Sequence, residues 1–137
     1  MTTTIKISTS IQSNLHKVWI YYTQPEHITN WNFASDDWQC PHAENDPRVG
    51  GKYIARMEAK DGSFGFDFEG VYDEVIDQKK ITYTLGDGRM VTTIFEAQDS
   101  NTNVTTSFDA EGSHSIEMQQ AGWQAILDNF KKYTELN

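Results

Sequence analysis

The chain has 137 residues and a net charge of −9, from 11 Lys and Arg against 20 Asp and Glu, which gives enough length for one hydrophobic core but no basic footprint for nucleic acid or an anionic membrane surface. The single cysteine, Cys40, allows no internal disulfide, and no apolar run approaches the about 18 residues that span a bilayer, so the reading is a cytoplasmic protein with no membrane insertion and one domain over 1–137. With four Trp, seven Phe and six Tyr in an otherwise polar chain, the aromatic side chains are expected to gather on a few buried faces.

Residues 4 to 11, TIKISTSI, alternate with Ile5, Ile7 and Ile11 on one face and predict a half-buried strand. Ser13 then serves as N-cap of a short helix carrying Leu15, Val18, Trp19 and Tyr22, which ends near Thr23 because Pro25 disfavours helical geometry at Gln24. Pro25 suits the first turn of a second short helix running to about Trp31. From Asn32 to Gly51 no period emerges, and the segment reads as a loop or lid with Trp31, Phe33 and Trp38 packed beneath it.

Strands 52 to 60 and 63 to 75 flank Asp61-Gly62, a dipeptide favoured in two-residue type I′ hairpins. Counting back from that turn pairs Ala59 with Phe64, Met57 with Phe66, Ala55 with Phe68 and Tyr53 with Gly70 on an apolar face, while Arg56 meets Asp67 on a wet one. Ile81, Tyr83 and Leu85 alternate in the next strand. A three-residue loop at Gly86-Asp87-Gly88 turns Val91, Thr93 and Phe95 inward, whereas a two-residue loop would turn Met90, Thr92 and Ile94 inward; the former is preferred. Asp99-Ser100-Asn101 leads into Val104, Thr106 and Phe108. Ile116 to Leu136 is the one long helix, with Ser115 as N-cap, Glu117 near its positive end, Lys131 and Lys132 near its negative end, and a stripe through Trp123, Ile126, Leu127 and Phe130. The elements make an α+β chain: about six antiparallel strands, two short helices after the first strand, and a long C-terminal helix lying on the sheet.

Val18-Trp19, the Trp31 region, Asp46-Pro-Arg-Val-Gly-Gly51, the Asp61-Gly62 hairpin, Gly70-Val-Tyr-Asp-Glu-Val75 and Gly122-Trp123 occur in an order and spacing that resembles the activator-of-heat-shock-protein-90-ATPase homolog-like (AHSA-like) family. The resemblance covers nearly the whole chain. It implies the helix-grip fold of the START-like or SRPBCC superfamily, in which a curved sheet grips the long helix and a cavity between them holds a small molecule in various relatives. The family name also implies a possible chaperone partner and a stress-response setting. Fold alone does not carry activity.

The aromatic density on the two facing surfaces points to a cavity for a small hydrophobic, aromatic or lipid-like ligand. Tyr53, Met57, Phe66, Phe68, Tyr72, Tyr83 and Phe95 of the sheet, Trp31 and Trp38 of the aperiodic segment, and Gln120, Trp123, Leu127 and Phe130 of the helix are its expected lining. Gln120, Tyr83 or a loop residue would orient the ligand by hydrogen bonding. The alternative for these side chains is a filled core. A co-chaperone-like interaction module is the second reading, and a cyclase- or hydrolase-type enzyme the third. Asp67 and Glu69 alternate onto the wet face, Asp36-Asp37 has no matched partner, and Cys40, His42 and His114 have no zinc-site spacing. No catalytic residue, metal ligand or cofactor is assigned, and monomer and homodimer both remain open.

Overall fold

The computed structural model describes residues 3–137. The elements run β1 (Thr4–Ile11), α1 (Leu15–Thr23), α2 (Pro25–Ile28), β2 (Trp38–Asn45), β3 (Lys52–Ala59), β4 (Gly65–Ile76), β5 (Lys80–Leu85), β6 (Met90–Gln98), β7 (Asn101–Asp109) and α3 (Ile116–Leu136). The seven strands form one antiparallel sheet in the order β1-β7-β6-β5-β4-β3-β2, curled into a half-barrel. A bulge between Tyr72 and Glu74 shifts the register of the 12-residue β4, an irregularity that bends a strand and raises its twist. One hydrophobic cluster joins the concave face to α1, α2 and α3, and holds Ile11, Val18, Ile28, Ala55, Phe108 and Phe130 almost free of solvent.

The expected register of the central hairpin is the observed one: Met57 opposes Phe66, Ala55 opposes Phe68, Tyr53 opposes Gly70 and Arg56 opposes Asp67. The turn is of a different kind. Type I′ needs positive φ at both central residues, but only Gly62 (φ 79°) has it; the Gly62 amide donates to the Ala59 carbonyl (3.0 Å), and the Ala59 amide closes a four-residue loop onto Phe64 (2.9 Å). Four residues and two give the same pairing here because both centre the hairpin between Asp61 and Gly62. The next loop is the three-residue one: the Leu85 amide donates to the Arg89 carbonyl (2.8 Å), Gly88 has φ 93°, and Val91, Thr93 and Phe95 are all buried.

The largest correction is β2. The segment from Asn32 to Gly51 contains an eight-residue strand at the sheet edge, paired with β3 from Trp38 to Asn45. Its register shifts between Gln39 and His42, so alternation breaks, and the break contains Pro41, a residue tolerated only on edges and at bulges. The sheet therefore has seven strands rather than about six. Three smaller differences concern helix ends. Asn14, not Ser13, caps α1, its Oδ1 accepting from the Lys17 amide (2.9 Å). The α-helical part of α2 stops at Ile28 and continues to Trp31 only as turns.

At α3, Ser115 does cap the start, accepting from the Met118 amide (3.1 Å). Lys131 and Lys132 lie before the last turn, outside the reach of the helix dipole. Lys131 instead donates to the Ser10 carbonyl (2.6 Å) and meets Glu135 (2.8 Å). Gln120 and Gln124 donate likewise to the carbonyls of Lys6 (3.3 Å) and Ser8 (3.2 Å). Three side chains from one flank of α3 thus serve three successive outward carbonyls of β1, those of Lys6, Ser8 and Ser10, so the helix is stitched to the sheet edge as well as packed on its concave face.

Candidate functional site

Between the concave face and α3 lies a cavity of about 290 Å³. Its floor is sheet: Ile7 of β1, Tyr53 and Met57 of β3, Phe66, Phe68 and Tyr72 of β4, Ile81 and Tyr83 of β5, and Thr106 of β7. Trp123, Ile126 and Leu127 of α3 form the roof, Tyr22, Trp31, Asn32 and Asn45 close one end, and Arg89 reaches the wall from the β5–β6 loop. A core of close-packed side chains holds few voids larger than a water. This one has room for about ten waters at ~30 Å³ each.

The inner-face alternation explains most of this lining, and it also explains what stays outside. Trp31, Tyr53, Met57, Phe66, Phe68, Tyr72, Tyr83, Trp123 and Leu127 are brought together on the wall. Phe95 faces inward but is covered by α1, its ring edge-on to Trp19 (5.1 Å) and Tyr22 (5.3 Å). Phe130 is fully buried behind the wall, against Trp31 (4.8 Å) and Tyr22 (5.1 Å). Trp38 sits outside the cavity beside Phe64 (6.0 Å) and Phe66 (6.3 Å) at the hairpin end. Gln120 is exposed on the β1 flank of α3. The expected lining left out Ile7, Ile81, Thr106 and Ile126, although each lies on an apolar face or stripe read from the sequence, and it left out Tyr22, Asn32, Asn45 and Arg89. Arg89 had a signal, since counting by twos from Val91 puts it on the inner face; Asn32 and Asn45 had none, because one lies in the turns after α2 and the other ends the bulged strand.

The polar groups on the wall are phenols and amides. The Tyr72 hydroxyl donates to Asn45 Oδ1 (2.6 Å), and Asn45 Nδ2 donates to the Thr23 carbonyl (2.7 Å), tying β4 to the end of α1 through β2. Asn32 Nδ2 donates to the Tyr53 hydroxyl (2.9 Å), and the Tyr22 hydroxyl lies 3.4 Å from Thr93 Oγ1, which bonds Thr106 (2.9 Å). Burial raises the pKa of Tyr22 and Tyr72 above 10 and pushes Tyr53 and Tyr83 well above it, because a phenolate there would lose its hydration. These groups are therefore neutral at physiological pH. No carboxylate or imidazole is on the cavity wall among the described residues, and burial moves its four phenols away from neutrality.

The remaining reactive types are dispersed. Cys40 is buried, its thiol pushed up to about 11 by burial, and Sγ donates to the His42 backbone carbonyl (3.5 Å) rather than to the imidazole. His42 is exposed beside Glu44, and His114 is exposed beside Glu111. Asp67 is on the convex face with Arg56 (3.4 Å). No group of three or more His, Cys, Asp or Glu side chains suited to a metal occurs among the described residues.

Gly70 gives the wall its shape. A Cβ there would lie 2.5 Å from Cδ2 of Tyr83, so the missing side chain lets the Tyr83 ring lie flat against β4. That ring is flanked by Tyr72 (5.8 Å, 86°), Tyr53 (5.7 Å) and Phe68 (6.3 Å, 89°), so the only room to retreat is into the cavity it lines. Gly70→Ala is expected to cost about 1–3 kcal/mol by overpacking, read as a lower denaturation midpoint in urea. An unchanged midpoint would mean that the ring moves freely.

The comparisons with known proteins agree with this geometry. A family model described as activator of Hsp90 ATPase homolog 1-like protein matches residues 12–135. The solution structure of an AHSA1-like protein from Aeromonas hydrophila is 42% identical, with a TM-score of 0.87 over 96% of this chain and 93% of that one. A Cytophaga hutchinsonii protein, also solved in solution, is 47% identical with a TM-score of 0.84 over 97% and 92% of the two chains. At 16% identity a Nitrosomonas europaea protein still superimposes with a TM-score of 0.82 over 97% and 94%, which speaks for the fold alone. No curated protein matches. No helix among the described residues is long and apolar enough to cross a membrane. With the family model spanning most of the sequence and the half-barrel gripping α3 as START-like proteins do, the chain belongs to the activator of Hsp90 ATPase homolog 1-like family.

Proposed function

We propose that this protein binds a small, mostly apolar ligand, aromatic or lipid-like, in the cavity between sheet and α3. The observation that carries the reading is the unfilled space of about 290 Å³ on a wall made mainly of aromatic and aliphatic side chains, close to the lower size of small-molecule sites. An interior optimised for stability alone would have closed such a space, since each missing methylene of packing is felt in stability. The family description raises protein interaction with a chaperone as a second reading, which a binding cavity does not require.

Native mass spectrometry and thermal denaturation across a library of small aromatic and lipid-like compounds test the first reading. A true ligand at a hundredfold its Kd stabilises by about 2.7 kcal/mol, a shift of several degrees in Tm. If no compound moves Tm and the protein carries no co-purifying small molecule, the reading fails. Binding to the host's chaperone, with a changed ATPase rate, would favour the second.

A further inference from the structure

We propose that the Tyr83 hydroxyl is the orienting hydrogen-bond donor of the cavity, and that the occupant carries a carbonyl-type oxygen at one point of an otherwise apolar body. This rests on the cavity reading above and adds to it the chemical class of the ligand. Four phenols surround the space, and three are already committed: Tyr72 to Asn45, Tyr53 to Asn32 and Tyr22 to Thr93. Tyr83 is only 5% exposed and lines the cavity, yet its hydroxyl has no hydrogen-bond partner among the described residues. The fully buried side-chain oxygen left without a partner among the described residues is Thr134 Oγ1, not this one, so the Tyr83 hydroxyl borders open space and is free to donate to an occupant of the cavity it lines.

The ring is held in place. Gly70 lets it lie against β4, and Tyr72, Tyr53 and Phe68 meet it edge-on or tilted, so the hydroxyl is not free to swing toward another partner. A pre-positioned donor loses little on binding. Tyr53, whose ring centroid lies 5.7 Å from that of Tyr83, accepts from Asn32 and keeps its own proton uncommitted, a second donor beside the first. Burial keeps both groups protonated, so the wall here donates. Among the described residues the one cation on the wall, Arg89, gives its Nε to Asp87 (2.7 Å), whose carboxylate offsets its charge, so a neutral oxygen acceptor suits the site better than a second carboxylate.

The test is an NMR titration of the wild type and Tyr83→Phe with propiophenone and with its hydrocarbon counterpart propylbenzene. The phenylalanine ring keeps the packing and removes only the donor. Affinity for the ketone is expected to fall about three- to tenfold, the worth of one neutral hydrogen bond, while affinity for the hydrocarbon stays level. An equal fall for both probes, or no fall for the ketone, overturns the anchor and leaves the cavity reading standing. If neither probe perturbs cavity resonances in the wild type, the anchor falls, and the library screen decides the cavity reading separately. The carbonyl stretch of propiophenone bound to the wild type gives an answer that needs no variant: a frequency lowered from its value in hydrocarbon solvent supports the hydrogen bond, and an unshifted one overturns it.

Discussion

Raising the pH above 10 is expected to unfold this protein cooperatively, with the transition complete by about pH 12 at room temperature. Tyr22, Tyr53, Tyr72 and Tyr83 all have folded-state pKa values raised from 10.0 by burial, so the unfolded chain loses these protons first. Stability is fully present below pH 10 and falls as pH rises toward the folded values. Each such group removes about 1.4 kcal/mol per pH unit between its unfolded and folded values, over the widest range for Tyr53 and Tyr83, against a typical total of ~5–15 kcal/mol. Cys40 acts in the same sense, with its loss beginning near pH 9.0 and ending at its folded value of about 11. Phenolate absorbance and circular dichroism, followed together, are expected to change in one step. Tyrosines that titrate gradually near pH 10 while the circular dichroism stays native would show that the cluster is open to water.

Phe130→Ala is expected to cost about 3–5 kcal/mol, enough to lower Tm by roughly 10–20 °C. The ring is fully buried, edge-on to both Tyr22 and Trp31, and ties α3 to α1 and to the turn after α2. Trp123, seven residues earlier on the same helix, provides the contrast. It stacks flat on Phe108 (3.9 Å, 11°) and meets Phe68 (5.9 Å), but it is only partly buried and one side borders the cavity. Trp123→Ala therefore removes two aromatic pairs but widens a space that already exists, at about 1–3 kcal/mol. Urea denaturation of both variants measures the difference. Equal losses would mean that the roof of the cavity is ordinary core.

How far sequence reading reached follows from where period and chemistry agreed. The β3–β4 register was legible because small residues opposed aromatic ones and Arg56 opposed Asp67, two constraints that survived even a misidentified turn. The inward set on β6 was legible once the Gly86–Gly88 loop was taken as three residues. β2 was not legible, because a bulge around Pro41 cancels the alternation that announces a strand. With β2 went Asn45, and with the turns after α2 went Asn32, the two amides that hold the cavity phenols. Gln120 was misread for a geometric reason: it lies on the flank of the helical stripe with Gln124 and Lys131, not at its centre with Trp123 and Phe130. The helix grips the sheet with one row of side chains and roofs the cavity with another, and the sequence pattern alone does not separate the two rows.

The row on the flank bears on what can pair with the edge of such a sheet. An open edge strand is a template for another chain, and a seven-stranded half-barrel exposes two. At β1 the carbonyls of Lys6, Ser8 and Ser10 that would accept an incoming strand are taken by Gln120, Gln124 and Lys131. At β2 the bulge and Pro41 leave no continuous ladder to extend. Both edges are thus closed to strand addition, one by borrowed side chains and one by irregularity, so the half-barrel resists edge-to-edge aggregation without having to complete the circle that would seal its cavity.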